Sequence, residues 1–258
     1  MIVEAYIDDL KIHDVTGALP YKIALADFTG LNAPTPRSDR PSKARRHGQY
    51  ELTSYYDGRA ISLEGRVMDT DMAAFWVTVD DIKERFSLNG INHVLKWRRT
   101  GSTILHECGV SVSSDLVIDI RPGFIRPFAT WNVDLIAADP RVYDTIIQTQ
   151  TFATTANVTN GGNFSTPLII AFNAPGTNPG LRNDALSVEN EINLVYGGGG
   201  TVIVIDTAAR EIKLDGTSRP DLINVLTTNF WSLAAGVNHL TKIGGAASVT
   251  LNWQDAYV

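Results

Sequence analysis

The chain has 258 residues, a formal net charge of −6, and 19% charged against 44% hydrophobic side chains. Such a chain can bury a sizeable core and is neither disordered nor collagen-like. Its acidic balance argues against nucleic-acid binding as the main task, because Lys and Arg supply affinity for phosphates. No apolar run reaches the roughly 20 residues of a membrane-spanning helix, so no membrane insertion is expected. The first ten residues lack the basic and long apolar regions of a signal peptide. Cys108 is the single cysteine, which leaves no internal disulfide and no thiolate metal cluster. The expectation is a chain made in a reducing cytoplasm and stabilised by packing alone.

Charge thins along the sequence. Residues 1–144 carry 17 Lys and Arg with 20 Asp and Glu, and residues 145–258 carry 5 and 8. Asn runs the other way, 4 against 12. Two domains are expected, 1–144 and 145–258, with Pro140 ending the last strand of the first.

In chain order, residues 37–47 form a basic run: Arg37, Arg40, Lys43, Arg45 and Arg46 against one acid, Asp39. Three readings stand side by side: a solvated loop, an arm that docks on an acidic neighbour, or a nucleic-acid contact. The last lacks the interleaved aromatics that stacking needs. Tyr50, Leu52 and Ser54 alternate with polar residues, and Ile61, Leu63, Gly65 and Val67 share one face. Asp57-Gly58 between these runs predicts a hairpin turn with both residues at positive φ. Met72, Phe75, Trp76, Val79, Ile82 and Phe86 fall at helical spacing. They predict a helix over about 70–88, capped by Asp69 or Thr70, with Lys83 and Arg85 late and Asn89-Gly90 as its stop. Phe75 and Trp76 read as core, with part of the stripe free to seal a subunit interface.

Short strands follow around Leu95 and Trp97, around Leu116 to Ile120, and through Ala129, Trp131, Val133 and Leu135. The second half shows an Asn160-Gly161-Gly162-Asn163 turn, a strand at 168–172 and a loop at 173–183. Strands are then expected at 186–196, 201–206, 210–214 and 248–253, with a glycine tract at 197–200. Regular short strands with turn signals predict a sandwich. The fold class is therefore mainly β with one prominent α-helix.

The order of these pieces resembles that of siphophage distal tail proteins over nearly the whole chain. The resemblance rests on the strand at 58–67 with a helix after it, the Ala138-Asp139-Pro140-Arg141-Val142-Tyr143 junction and the Asn160-to-Leu168 segment. The hairpin at 205–216, the segment at 230–238 and the closing strand complete it. It implies an N-terminal belt domain that assembles into a homohexameric ring and a galectin-like or carbohydrate-module-like C-terminal sandwich. It further implies a place at the distal end of the virion tail, joining the tail tube protein to the hub and to receptor-binding or adhesion proteins. DNA would pass through the lumen without specific binding. The galectin sugar strand, His-x-Asn-x-Arg, is absent at His239, which Leu240, Thr241 and Lys242 follow.

Other chemistry is thinly signalled. Trp231 and Trp253 could form a sugar-stacking platform, but no polar cluster accompanies them and core packing of the sandwich explains them better. The glycine tract lacks the Gly-Lys-Ser/Thr ending of a phosphate loop. His13, His47, His93, His106 and His239 show no zinc spacing, and neither Asp80/Asp81 nor Glu189/Glu191 makes a catalytic pair by spacing alone. No catalytic, metal or cofactor site is expected. The rival function is a carbohydrate-binding β-sandwich module for host adhesion; a glycan hydrolase and a ringless adhesin are further alternatives.

Overall fold

The structure, a computed structural model, describes residues 1–15, 23–37, 55–87, 92–121, 126–186 and 190–258. Two compact units emerge, residues 1–142 with Val258, and residues 143–257.

The first unit contains β1 (Ile2–Ile7), β2 (Leu10–Asp14), β3 (Ile23–Thr29), β4 (Pro36–Arg37), β5 (Tyr55–Tyr56) and β6 (Arg59–Met68). Helix α1 (Met72–Arg85) and β7 (His93–Arg99), β8 (His106–Val112), β9 (Val117–Ile120) and β10 (Phe128–Ala137) complete it. The strands pair in the order β2-β1-β7-β8-β10-β6-β3, with β9 beside β10. Strict alternation makes the long strands. Ile61, Leu63 and Val67 of β6 point inward, as do Ala129, Trp131, Val133 and Leu135 of β10, and ten antiparallel residue pairs join the two strands. The sheet curves so that its ends approach. The Leu25 N–H of β3 donates to His13 Nδ1 of β2 at 3.2 Å, and Phe28 meets Trp97 of β7 edge to face at 5.6 Å between ring centres.

Helix α1 covers this core with Phe75, Thr78, Val79 and Ile82. Its buried stripe is rotated from the expected one. Thr78 is inside, where its hydroxyl donates to the Ala74 carbonyl at 3.0 Å and so enters without an unpaired donor. Met72 and Trp76 are outside, 57% and 42% exposed. The N-cap is Asp71, whose carboxylate accepts from the Ala74 N–H at 3.0 Å. Asp69 instead accepts from the Thr70 N–H at 2.7 Å, two residues earlier. Phe86 caps the C-terminal end and packs on Trp131 at 5.5 Å. The expected Asn89-Gly90 stop lies outside the described residues.

The Asp57-Gly58 hairpin is corrected. Neither residue has positive φ, and β5 pairs with β4, not with β6. The Asp57 N–H donates to the Thr35 carbonyl. Glycine at 58 leaves room for a close neighbour: a Cβ there would sit 3.0 Å from the Ala137 carbonyl oxygen, a tight approach. The run at 50–54 lies outside the described residues.

The second unit contains β11 (Val142–Phe152), β12 (Thr155–Asn160), β13 (Leu168–Pro175), β14 (Gly180–Asn183), β15 (Glu191–Asn193) and β16 (Val202–Asp206). It ends with β17 (Glu211–Leu214), β18 (Thr217–Ser218), a 3-10 turn at Pro220–Leu222, β19 (Gly236–Ile243) and β20 (Ala246–Tyr257). One sheet runs β18-β17-β16-β13-β20-β11 and the other β12-β19-β14-β15. Leu168, Ile170, Phe172, Ile203, Ile205, Val249 and Leu251 from the first pack against Val158, Leu181, Ile192 and Leu240 from the second. That makes a sandwich. The loop expected at 173–183 is shorter than read, because β13 continues to Pro175 and β14 starts at Gly180.

Candidate assembly surface

Three features of the first unit bear on what it can contact. The antiparallel pairs Pro36↔Tyr56 and Arg37↔Tyr55 form a two-strand stem that brings together the ends of segment 38–54. Arg37 itself is exposed and its Nη1 lies 3.5 Å from Asp57 Oδ1. Arg40, Lys43, Arg45 and Arg46 lie outside the described residues.

Arg59, the first residue of β6, is only 3% exposed. Its Nη1 donates to the carbonyls of Gly30 at 3.0 Å and Asn32 at 2.6 Å. Its Nε and Nη2 both donate to the Pro140 carbonyl, at 3.1 and 2.9 Å. The turn can approach this closely because residue 30 is glycine: φ is +91°, and a Cβ would fall 2.1 Å from the Ala60 oxygen. Burial lowers the guanidinium's pKa from its ordinary value. The arginine thus replaces water for three otherwise unpaired carbonyls. No sequence pattern announces it, because the partners are 29, 27 and 81 residues away.

A charged cluster fixes the C-terminal end of α1. Arg85 reaches Asp9 at 2.7 Å and Asp8 at 3.8 Å. Asp8 Oδ2 is 2.8 Å from His93 Nδ1, and Oδ1 accepts from the Val94 N–H at 2.8 Å. Burial alone would raise the Asp8 pKa, but the Val94 N–H, His93 and Arg85 outweigh it and hold it below the usual carboxylate value.

The C-terminal end of α1 is thereby tied to the β1–β2 turn and to β7. Phe75 is in the core and Trp76 is not; the two rings meet edge to face at 5.5 Å. Of the two expected interface aromatics, only Trp76 is available to a neighbour. Its ring lies under Lys83 Nζ, 5.9 Å from the ring centre.

In the second unit, Trp231 and Trp253 are 5% and 7% exposed and belong to the sandwich core. Neither presents a free ring face for stacking on a sugar. Their indole N–H groups are buried without a hydrogen-bond partner. A cleft of about 480 Å³ borders Trp253, lined also by Tyr143, Ile147, Ile169, Asp206 and Asn252. Buried asparagines brace the other sheet. Asn183 Nδ2 donates to Asn238 Oδ1 at 2.9 Å, Asn238 Nδ2 donates to the Ala234 and Gly236 carbonyls, and Asn160 Nδ2 donates to the Phe164 carbonyl. Cys108 is buried and its thiol is pushed up to about 12 by that burial. Among the described residues, no group of three or more His, Cys, Asp or Glu could hold a metal ion.

Residues 161–257 match the family described as siphovirus-type tail component, C-terminal domain, of the SPP1 Dit type. No curated protein matches the chain. Among solved structures, the SPP1 Dit protein, described as a paradigm of the hub adsorption apparatus in phages infecting Gram-positive hosts, is similar over 99% of both chains. The TM-score is 0.74 at 13% identity. Chains of the phage P2 baseplate in its activated conformation are similar too. The calcium form gives a TM-score of 0.57 at 10% identity over 100% of both chains, and the strontium form 0.55 at 10% over 97% of both. Residues 161–257 thus match the siphovirus-type tail component C-terminal domain, and the chain as a whole shares its fold with the SPP1 Dit protein.

Proposed function

We propose that the chain is a non-enzymatic structural subunit of a siphophage tail tip, at the distal end of the virion. It forms a ring, of six copies in this reading, between the tail tube and the tail-tip hub with its adhesion proteins. The observation that carries this is end-to-end agreement with the SPP1 Dit fold, first unit and second unit in one chain. The first unit supplies the ring. A head-to-tail contact repeated by a fixed rotation closes on itself, so one interface sets one pore diameter. The second unit is a platform for neighbouring tail parts. An excess of six negative charges suits a channel through which DNA passes without being held.

Burial of Trp231 and Trp253 weighs against the carbohydrate-module alternative, which needed them as an exposed platform. Light scattering with negative-stain imaging of the purified chain tests the ring directly. Annular particles with a central hole are expected. A monomer at every concentration, alone and with tail tube protein, would overturn the proposal.

A further inference from the structure

We propose that the seam between β2 and β3 is a pH-sensitive closure of the first unit, held while the His13 imidazole is neutral and opened when that ring takes up a proton. The inference goes beyond the structural role proposed above and does not depend on how many copies assemble.

The seam is where a curled sheet meets itself. Among the described residues β2 pairs as a strand with β1 and β3 with β6, so each is an edge. β3 is bulged there: Leu25 faces Gly65 and Asp27 faces Glu64, which leaves Ala26 over. An edge strand carries backbone groups that need partners. For the Leu25 N–H the partner is not a carbonyl of β2 but a side chain, His13 Nδ1, 3.2 Å away.

That choice of acceptor makes the bond conditional. A carbonyl accepts at every pH. An imidazole nitrogen accepts only through its lone pair, and protonation turns it into a second donor. The charged ring then sets an N–H against an N–H, and the bond is lost. The Leu25 amide must turn to water, and a groove of about 670 Å³ beside the seam admits it. His13, Leu25, Phe28, Asn32 and Arg99 are among the residues that line this groove.

The surroundings set where the ring titrates. Burial lowers its pKa from the ordinary value of 6.5, against a hydrogen bond with the Ile2 backbone of β1 and the charge of Asp14, which both favour the protonated form. The nearby carboxylates are engaged elsewhere. Asp14 accepts from Lys11 at 2.8 Å, Glu4 of β1 from Arg98 at 2.9 Å, and Asp27 of β3 from the Phe28 N–H at 2.8 Å. Arg99 at the end of β7 and Met1, with its amino group, line the groove and oppose a further positive charge there. The closed seam therefore binds a proton less readily than the open one. Its stabilisation is complete above the ordinary value and is lost as pH falls through the lowered one.

Hydrogen exchange of the full chain tests this between pH 7.5 and 5, read in peptides covering β3 and corrected for the intrinsic pH dependence of amide exchange. Protection is expected to fall about tenfold per pH unit once the pH is below the ordinary histidine value. Exchange at the His13 ring carbon Cε1, followed by mass in the same buffers, reports the ring's own titration, and the two changes are expected to coincide. His13→Asn places an amide oxygen near the position of Nδ1 and is expected to keep β3 protected at every pH. His13→Leu is expected to lose that protection at neutral pH as well. Protection of β3 that stays flat in the wild type overturns the inference. So does a fall that proceeds without titration of the ring, or one of equal size in His13→Asn.

Discussion

The two units solve the same problem, polar groups inside a β fold, with different chemistry. In the first, the most deeply buried charge is Arg59 across three carbonyls, and a half-buried Asp8 bridges His93, Val94 and Arg85. In the second, three of the buried polar groups are neutral amides, Asn160, Asn183 and Asn238, bonded to backbone and to one another, and one carboxylate, Asp144, is buried with them. Neutral amides cost less to bury than a charge and bring no pH dependence. The ionic unit is the one whose outer surface is also charged, so its clamps place the helix and the stem against which a neighbour would be steered. The amide unit keeps a lightly charged exterior and relies on its large shared core.

The comparison can be broken most sharply at Arg59. Replacing it by Ala strips three carbonyls of a charged donor and should cost about 3 kcal/mol. Hydrogen exchange should show the loss in peptides of residues 1–142 and leave 143–257 protected; uniform loss in both would mean the units do not differ in the way described. Asn238→Ala should act on the other unit and cost about 2 kcal/mol, since the Ala234 N–H and two carbonyls lose a partner that is fully buried. Urea denaturation followed by peptide-resolved exchange separates the two variants.

The smallest effect is in acid. Asp8 has a folded-state pKa below its unfolded value, so its contribution is present above the unfolded pKa of about 4 and is lost as pH falls through the folded value. Glu4, lowered by Arg98 and Tyr6 against the opposing effect of burial, adds to the same window. Asp184 and Asp221 of the second unit are lowered as well, so stability of both units should drop below about pH 4. Asp8→Asn should flatten part of that drop. Equal acid sensitivity in wild type and variant would remove Asp8 from the account.

Much of this architecture was legible in the sequence, and the misses have physical causes. Alternation marks β6 and β10 because each buries one face and wets the other. The helix was readable, but its rotation was not: Thr78 reads as polar and is buried through a bond to its own helix, while Trp76 reads as core and stays out. Strand β19 was hidden because an inward Asn breaks its apolar alternation, and only the fold shows that its amide is fully bonded. Asp57-Gly58 carried a strong local turn signal that lost to the pairing of β5 with β4. Arg59 left no trace in pattern at all, because carbonyl oxygens look alike in every sequence. The basic run at 37–47 was visible from composition, whereas the side of α1 that faces water was not.

The two-residue stem of β4 and β5 has a consequence of its own. Because it closes the ends of residues 38–54 locally, the segment between can be exchanged for a longer or shorter one at little thermodynamic penalty; doubling its length adds only about 0.6 kcal/mol of closure entropy. The span between those ends is set by β4 and β5 themselves, so a change of length between them leaves that pairing as it is.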